Sequence, residues 1–453
     1  MIAGIEEQGM LYALIPAALS IGLLFWWRSV MLFKRTVEDV PTSKVKGVFI
    51  GLNEVKGEVK SYDPLETYLT ESPSVWYTWS IKEHWRRTET YTDSKGRSHT
   101  RTVSGWRTVD SGSSYQSFFL VDDTGELLID PKGAKVDAPS TLSHYCGTSD
   151  SLYYGKGPSG SIMNSTYRRR FTEYALAPGD NLYVLGPAKL RDEVVAPMIA
   201  HNKLARYYFI SSRSESQIVR GKSFWSIFLM IFATLAALAV PVVAICFRER
   251  IEPLEVFVQY PGWVALAAAI FSLVVGLFYL MLLYNGLVRV RNRLRLALSL
   301  IEVQLKRRHD LIPQLLECVK ATASHERELH TMVVEARSES MQWGSVGKDV
   351  GQEIGKDQGV VGQLFALSEA YPDLKVDANF KLFMEQLTDT EDRIALARAF
   401  YNDSLLALQD RLLTFPDVLV AKWFRFQSGN LLQPINDPSE REAPRVSFGE
   451  GKS

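Results

Sequence analysis

The sequence predicts an integral membrane protein of the α+β class, with three transmembrane helices, a β-rich domain and an antiparallel helical bundle. Long apolar runs cover residues 10–33, 223–247 and 263–284, and a helix needs about 20 apolar residues to cross a bilayer. Residues 36–222 contain short alternating runs that favour β-strands, because side chains alternate between the two faces of a strand. A heptad pattern of apolar residues within 285–427 predicts packed helices.

The composition excludes several classes of protein. The chain has 453 residues, with 51 Lys and Arg against 51 Asp and Glu, so it lacks the overall basic charge expected of a nucleic-acid-binding protein. Hydrophobic residues make up 46% and charged residues 23%, which is typical of folded protein. Cys146, Cys246 and Cys318 are too few for a disulfide framework or a four-thiolate zinc site, and they fit a reducing compartment.

The first apolar run differs from the other two because it contains a charge, Arg28, whose long side chain can reach the lipid headgroups. A cleavable signal peptide begins with a basic segment. Residues 1–10 contain Glu6 and Glu7 and no Lys or Arg, so we expect an uncleaved membrane anchor. The second and third runs carry no charged residue and predict two further spans.

Basic residues flank the predicted spans asymmetrically. They follow the first span (Arg28, Lys34 and Arg35), precede the second (Arg213, Arg220 and Lys222) and follow the third (Arg289, Arg291, Arg293 and Arg295). Because basic flanks stay in the cytoplasm, this predicts a multi-pass protein of the bacterial cell inner membrane with a periplasmic N-terminus. Residues 36–222 and 285–453 would both be cytoplasmic. The four arginines after the third span are candidate lipid headgroup contacts, each worth about 1 kcal/mol.

The β-rich domain shows its strands through alternation and turn residues. Residues 75–81 alternate, and residues 118–122 and 126–129 flank an Asp-Thr-Gly turn that predicts a hairpin. Residues 46–52 predict a further strand. Residues 86–104 are rich in Arg, Thr and Ser, and predict a long, mobile hairpin or loop.

Two sets of residues in this domain invite a ligand-binding hypothesis. They are the tryptophans Trp76, Trp79, Trp85 and Trp106, and the basic run Arg168, Arg169 and Arg170. For the tryptophans we expect packing in the core and at its rim, which is the commoner role of a large aromatic side chain. For the arginines we expect an exposed strand or a membrane-facing patch in preference to a phosphate site.

Four ordered pieces of the domain resemble the GIDE-type domain of mitochondrial membrane-anchored ubiquitin ligases. They are residues 61–81, 105–131, 173–187 and 207–219. The order of span, domain and span is also similar. Those ligases carry a RING, which requires eight Cys or His ligands with Cys-x-x-Cys pairs. This chain has no such pair, so the resemblance does not carry ligase activity to it.

The bundle is predicted from two stripes of residues spaced three and four apart. The first stripe is Leu287, Arg291, Leu294, Leu298, Ile301, Leu305, Arg308, Ile312, Leu315 and Val319. The second is Phe380, Phe383, Leu387, Ile394, Tyr401, Leu405, Leu408, Leu412 and Phe415. Pro313 interrupts the first stripe, so that either Asp310 caps a restarted helix or the helix kinks. Glycines within 341–362 predict a flexible connection, and 428–453 a disordered tail.

Residues of this bundle are similar to the LemA family. The matching pieces are residues 284–294, 301–326, 367–375, 390–403 and 415–424. Members of that family also have a membrane span directly before the Tyr-Asn-x-Leu-Val motif. The resemblance implies a membrane-tethered, all-helical domain with no established reaction. This chain departs from the family pattern by placing two more spans and a GIDE-like domain in front.

No sequence motif predicts a catalytic, cofactor-binding or metal-binding residue. His325 and His330 are five residues apart, which places them about 140° apart around a helix, so they cannot share a zinc ion as the histidines of HExxH do. Charged and polar residues of the bundle predict an inter-helix register network or, alternatively, a partner-binding surface. These candidates are Arg308, Asp310, Glu391, Arg393, Asn402 and Asp403.

These patterns predict a non-enzymatic membrane-anchored scaffold or self-assembling protein. Its expected partners are membrane lipids, other proteins and copies of itself, without nucleic acid, and the heptad stripes offer a coiled-coil route to oligomers. Two alternatives stay open. One is a membrane-bound hydrolase or ligase-like enzyme that uses the β domain, and the other is a lipid-organising or envelope-remodelling protein.

Overall fold

The computed structural model describes residues 2–93, 96–191, 196–202, 207–322 and 378–427. It mixes helices and strands and contains three long apolar helices, as the sequence predicts. The chain divides into two compact units, Met1–Leu277 and Phe278–Ser453, with the boundary inside one long helix. Each unit is described separately below.

The helices extend beyond the apolar runs that predict them. They are α1 (Ile2–Asp39), α2 (Ser151–Gly155), α3 (Glu215–Glu249), α4 (Pro253–Gln259), α5 (Pro261–Thr322), α6 (Ala378–Leu413) and α7 (Asp417–Trp423). Stretches of α1, α3 and α5 are long and apolar enough to cross a membrane. The extensions of α1 and α3 are mainly polar, whereas the long extension of α5 is amphipathic and supplies buried residues such as Leu287 and Ile301. A capping box at Ser214 and Gln217 fixes the start of α3.

The strands all belong to the first unit. They are β1 (Thr42–Ser43), β2 (Gly51–Lys60), β3 (Leu65–Glu66), β4 (Pro73–Ser74), β5 (Trp76–Thr92), β6 (Ser98–Tyr115), β7 (Phe118–Asp122), β8 (Gly125–Ile129), β9 (Lys135–Asp137), β10 (Ser140–Gly147), β11 (Ser165–Leu176), β12 (Asn181–Leu190), β13 (Pro197–Ile199) and β14 (Phe209–Ser211). β7 and β8 form the hairpin predicted around the Asp-Thr-Gly turn.

Five of these strands close into a small barrel. β2 pairs with β7, β7 with β8, β8 with β13, β13 with β12, and β12 again with β2. The barrel encloses a cluster of buried apolar residues that includes Val55, Leu120, Leu127, Ile129 and Val184. A closed ring leaves its own strands few free edges, so the barrel is a rigid base for the elements attached to it.

α1 and α3 pack side by side in opposite directions. Tyr12 stacks on Phe247 at 4.9 Å between ring centroids, and Trp26 stacks on Trp225 at 6.3 Å. Both helices therefore enter the barrel region from the same side. The end of α1 and the start of α3 then pack on the barrel wall, where Val37 and Ile218 share a buried cluster with Tyr183 and Leu185 of β12 and with Phe209 of the adjoining β14.

A second sheet is attached to the barrel, with the strand order β10, β11, β5, β6. One face is covered: Ile81, Cys146 and Phe171 are buried there beneath Leu69 and the α2 residue Tyr153. The β5–β6 hairpin pairs from Trp76 opposite Tyr115 to Thr92 opposite Ser98, with one shift of register between Ile81 and Lys82. Residues 86–104, predicted as a hairpin or loop, are therefore mostly regular paired strand.

In the second unit, α5 and α6 run antiparallel. The predicted stripes provide buried residues, among them Leu287, Ile301 and Ile312 on α5 and Leu387 and Leu405 on α6. α7 then folds back so that Val420 and Ala421 pack on Leu283 and Leu287 of α5. The part of the bundle that the structure describes is thus a helix pair closed by a short third helix.

Two local expectations are wrong, and one of the two alternatives at Pro313 is excluded. Val45–Gly47 form a 3₁₀ turn and the strand begins only at Gly51, since the Asn53 side chain bonds back to the Phe49 carbonyl at 2.7 Å. α5 continues through Pro313, and Asp310 is an exposed residue within it, so Asp310 caps no restarted helix. Phe415, expected in the second stripe, is 74% exposed.

Some predicted features lie outside the described residues. They are the glycine-rich connection 341–362, the piece 367–375, His325 and His330, and the tail 428–453.

Candidate functional site

Two of the six residues predicted for a register network, Arg308 and Glu391, meet at the contact between α5 and α6. The Arg308 side chain is almost completely buried, and its Nη1 donates a hydrogen bond to Glu391 Oε1 at 3.2 Å. This joins two of the six candidate residues. We expect this buried pair to favour one register of the two helices, because its geometry is satisfied at one relative position only.

Asp389 organises the neighbouring charges, although the sequence did not single it out. Its Oδ2 accepts a hydrogen bond from Arg393 Nε at 2.8 Å and lies 3.6 Å from Arg307 Nη1. Arg393, a candidate, therefore joins the network through Asp389. The signal in the sequence was the i, i+4 spacing of Asp389 and Arg393 on one helix face.

The other three candidates lie apart from this contact. The side chain of Asp310 is exposed two residues beyond Arg308. Asn402 and Asp403 follow Glu391 by eleven and twelve residues, which is roughly 16 Å along a helix. Packing around the carboxyl raises the pKa of Asp403, although the residue as a whole is exposed.

The four candidate lipid-contacting arginines occupy different environments. The Arg291 guanidinium lies 5.2 Å from the centre of the Phe426 ring, so this side chain packs within the second unit. Arg289 and Arg295 are exposed, and Arg293 is half-buried. The sequence did not distinguish these environments, because it does not show where the chain returns to α5.

The first unit contains a buried ion pair that the sequence analysis missed. Arg169 Nε donates to Glu83 Oε2 at 3.1 Å, and both side chains are fully buried on the covered face of the four-stranded sheet. Glu83 is in phase with the buried Val75 and Ile81, and a charge in phase with a buried strand face was the available signal. Arg169 was expected on an exposed or membrane-facing strand, and that expectation is wrong.

Arg169 uses its remaining donors to hold a loop. Its guanidinium donates to the carbonyls of Tyr153 (2.6 Å), Pro158 (2.9 Å) and Gly160 (2.8 Å), and it lies 4.2 Å from the Tyr153 ring centre. A guanidinium presents five N–H donors, so this site is well satisfied. Such saturation is typical of a structural role.

A second buried carboxylate, Glu54, lies where the barrel meets the helices. It accepts hydrogen bonds from the hydroxyls of Thr42 and Tyr183, both at 2.7 Å, and lies 3.3 Å from Lys56 Nζ. Lys56 also donates to Glu215 in the first turn of α3 at 2.9 Å. Burial raises the pKa of the Glu54 carboxyl. The cluster therefore links the barrel to the start of α3.

The uncovered face of the four-stranded sheet carries basic and aromatic side chains together. Strand register places Lys82, His84, Trp106, Tyr145 and Arg170 on this side. The ring centroids of His84 and Trp106 are 5.0 Å apart, and those of Trp106 and Tyr145 are 5.8 Å apart. The Arg170 guanidinium lies 5.1 Å from the centre of the Tyr145 ring. We call these five residues the open face.

Side-chain alternation separates the charges of these strands. Within the described strands, register assigns no Asp or Glu to the same side as the open face, whereas Glu83, Glu89 and Glu173 fall on the opposite side. Trp106 and Tyr145 remain 42% and 53% exposed. Trp106, expected in the core or at its rim, is therefore at the centre of an exposed, positively charged surface.

Comparison with known families bears on both units. Residues 297–448 match the LemA family, and residues 87–244 match GIDE, described as E3 ubiquitin ligase. The chain combines a GIDE region with a LemA region. Both predicted resemblances are confirmed. The GIDE region contains Trp106, Tyr145 and Arg170, and the LemA region contains Arg308 and Glu391.

Curated relatives point in the same direction. The chain is 27% identical over 188 residues to the magnetosome protein MamQ of Magnetospirillum gryphiswaldense, covering 36% of this chain and 66% of the relative. It is 26% identical over 167 residues to MamQ 1 and MamQ 2 of Paramagnetospirillum magneticum, covering 31% of this chain and 61% of each relative. The chain thus spans just under two thirds of these relatives. With three candidate spans, the matches indicate a membrane-associated protein with a LemA region.

The sequence contains no Cys-x-x-Cys pair of the kind that a RING requires, because Cys146, Cys246 and Cys318 are separated by far more than two residues. Among the described residues, no group of three or more His, Cys, Asp or Glu side chains is placed to hold a metal ion.

Proposed function

We propose that this protein is a non-enzymatic scaffold of the bacterial inner membrane that uses the open face of its GIDE region to dock an acidic segment of a partner protein. The observation that carries the proposal is the open face itself. Trp, Tyr and Arg are the residue types that dominate the binding energy of protein interfaces. The open face combines all three within one exposed cluster.

The charge of the open face selects the chemistry of the partner. Lys82 and Arg170 lie opposite one another in neighbouring strands, and register assigns no carboxylate of the described strands to this side of the sheet. An acidic segment complements this field, gains from the aromatic rings at its centre, and is steered towards it at low ionic strength.

The buried polar groups favour a structural role over a catalytic one. Arg169 and Glu83 bind each other and a loop, Glu54 is held by three neighbours, and Arg308 meets Glu391. A catalytic group needs access to a substrate as well as a shifted pKa. These groups are instead used in holding elements together.

Two further observations favour the membrane placement. α1 and α3 run in opposite directions, as two consecutive spans with the GIDE region on one side require. The relatives are named as magnetosome proteins of bacteria, which agrees with a bacterial protein of LemA type. The inner membrane and the cytoplasmic orientation rest on the positions of the basic flanks.

Site-specific photocrosslinking in intact cells tests the docking proposal. A benzophenone amino acid at Trp106 should give protein adducts whose crosslinked peptides are rich in Asp and Glu. Lys82→Glu with Arg170→Glu should abolish them. The matched control is Arg87→Glu with Arg101→Glu, because those exposed residues lie on the opposite side of the same hairpin.

Three outcomes would overturn the docking proposal. They are adducts only to nucleic acid or lipid, adducts that survive reversal of the open-face charge, and adducts that the control pair removes equally.

Self-assembly is part of the same proposal, but it requires a surface other than the predicted heptad stripes. The described parts of those stripes pack α5 against α6 within one chain, as the Arg308–Glu391 pair shows. Crosslinking in mild detergent should give oligomers if copies associate elsewhere, and a strict monomer would remove self-assembly from the proposal.

A further inference from the structure

The end of the LemA region exposes an apolar surface that the bundle does not use. Leu413 is 80% exposed, Phe415 74%, Leu419 56%, Trp423 84% and Phe424 56%. These residues, which we call the α7 patch, occupy the end of α6, the turn after it and α7. Large exposed apolar groups in one short stretch mark a surface that contacts another apolar phase.

The opposite side of α7 fixes where this patch lies along the chain. Val420 and Ala421 are buried against Leu283 and Leu287 of α5. The Tyr284 ring is 4.7 Å from that of Phe424 between centroids. These α5 residues are the point at which the uncharged run of the third predicted span ends. α7 is therefore fixed beside the last turns of that span.

The exposed charged residues of α7 and of the turn directly after it have the sign that suits an anionic lipid surface. They are Lys422 and Arg425. The one carboxylate of α7, Asp417, is buried and lies 3.3 Å from Arg411 Nη1. Apolar side chains with exposed basic neighbours are the composition of a helix that lies in the membrane interface.

We propose that the α7 patch is inserted in the headgroup and upper acyl region of the bilayer, so that the LemA region is held to the membrane by a second contact besides α5. The inference rests on α5 being a membrane span, as in the proposed function. Tryptophan and tyrosine favour this depth, where the ring is apolar and its N–H or O–H reaches water. The patch is continuous with the span through Tyr284, and this continuity selects lipid over a protein partner.

Spin-label depth measurements on the full chain test the insertion. Cys146, Cys246 and Cys318 are first replaced by alanine, and the protein is placed in vesicles of phosphatidylcholine and phosphatidylglycerol. Cysteine then replaces Leu419 or Trp423 in separate samples, and each cysteine is labelled with a nitroxide. Collision with oxygen reports lipid exposure, and collision with a water-soluble nickel chelate reports water exposure.

Two reference positions calibrate the result. Leu273 is 64% exposed within the apolar run of α5 and reports the bilayer interior. Leu382 is 50% exposed near the start of α6, roughly 45 Å along that helix from Leu413, and reports water. We expect labels at 419 and 423 to collide with nickel several-fold less than the label at 382, and to report a depth shallower than at 273.

Each alternative gives a different pattern. Labels at 419 and 423 that match position 382 would place the patch in water, and low collision with both reagents would mean that protein covers it; either result overturns the insertion. A label at 273 that is also in water would instead refute the membrane span itself. Trp423→Asp, at a site exposed in the fold, should return a label at 419 to water without lowering the melting temperature.

Discussion

Arg169 and Glu83 place a full ion pair inside the covered face of a sheet, where removing one partner leaves a charge without compensation. We expect Glu83→Gln to lower the free energy of unfolding by about 3 to 5 kcal/mol, because the Arg169 guanidinium then stays buried without its carboxylate. Chemical denaturation of the full chain in detergent, followed by near-UV circular dichroism, measures this.

The matched control is Arg168→Gln, which alters an exposed neighbour of Arg169 and should change stability by less than about 0.5 kcal/mol. Arg169→Met should lower the free energy of unfolding at least as much as Glu83→Gln, since it leaves the buried Glu83 carboxylate without its guanidinium and removes the donor of three loop carbonyls. Equal losses in Glu83→Gln and Arg168→Gln would contradict the structural role of the pair.

Glu54 gives the barrel a dependence on pH. Its pKa is raised in the folded state by burial, so the fold favours the protonated carboxyl. That contribution is fully present below the ordinary pKa of a glutamic acid and is lost as the pH rises through the raised value. The melting temperature of the wild type should therefore fall, compared with that of Glu54→Gln, as the pH rises from about 4 to 7, because the glutamine side chain stays neutral.

The control for this prediction is Glu58→Gln, since Glu58 is an exposed carboxylate on the same strand. Melting temperatures of the three proteins across the pH range give the test. A difference between wild type and Glu54→Gln that stays constant with pH would refute it. Thr42, Lys56, Tyr183 and Glu215 face or adjoin the Glu54 carboxylate and are kept unchanged.

At the scale of elements, the α5–α6 pair depends on one buried contact more than on its exposed neighbours. Glu391→Gln should lower the free energy of local unfolding of α6 by about 3 kcal/mol, because it removes the carboxylate that the almost fully buried Arg308 meets. Asp389→Asn should lower the same free energy by less than about 1 kcal/mol, since Arg307 and Arg393 are partly exposed to water. Hydrogen exchange of the α6 amides distinguishes the two.

Exchanging the charges, Arg308→Glu with Glu391→Arg, should restore part of the lost protection. Failure of the exchange to restore any protection would mean that the pair does not set the register of the two helices.

The elements with a strong period were predictable, and the contacts between them were not. The lengths of the apolar runs predicted the three apolar helices, and the Asp-Thr-Gly turn predicted the β7–β8 hairpin. The burial of Arg169 in β11 was not predicted, because its basic run is typical of an exposed strand and its partner Glu83 is distant in sequence. Whether a charged residue in such a run is buried depends on tertiary contacts, which the local sequence does not report.

The candidate site divides in the same way. The heptad spacing placed Arg308 in the α5–α6 contact and its partner Glu391 was among the candidates, whereas Asp389 was not. The open face combines β5, β6, β10 and β11, and no sequence pattern reports how four strands order themselves in a sheet. The α7 patch was hidden because Phe415 fits the spacing of the buried stripe but lies beyond the end of α6.

At the scale of the whole molecule, the proposed topology places both folded regions in the cytoplasm. Single cysteines at Thr100 and Asp403, both exposed, should react with a membrane-impermeant maleimide only after the inner membrane is opened. The same residues should stay protected in intact spheroplasts. Labelling of the two positions from opposite compartments would refute the three-span arrangement.

The attachment of the barrel to α1 and α3 constrains how any captured partner is presented. A domain on one flexible linker can turn freely, but this barrel is fixed at two adjacent points through Val37 and Ile218. With both helices in the bilayer, Trp106 and its neighbours would keep a constant distance from the membrane surface and a constant orientation relative to it. Cargo held by separate copies would then be aligned with respect to the membrane normal, even where the copies never touch.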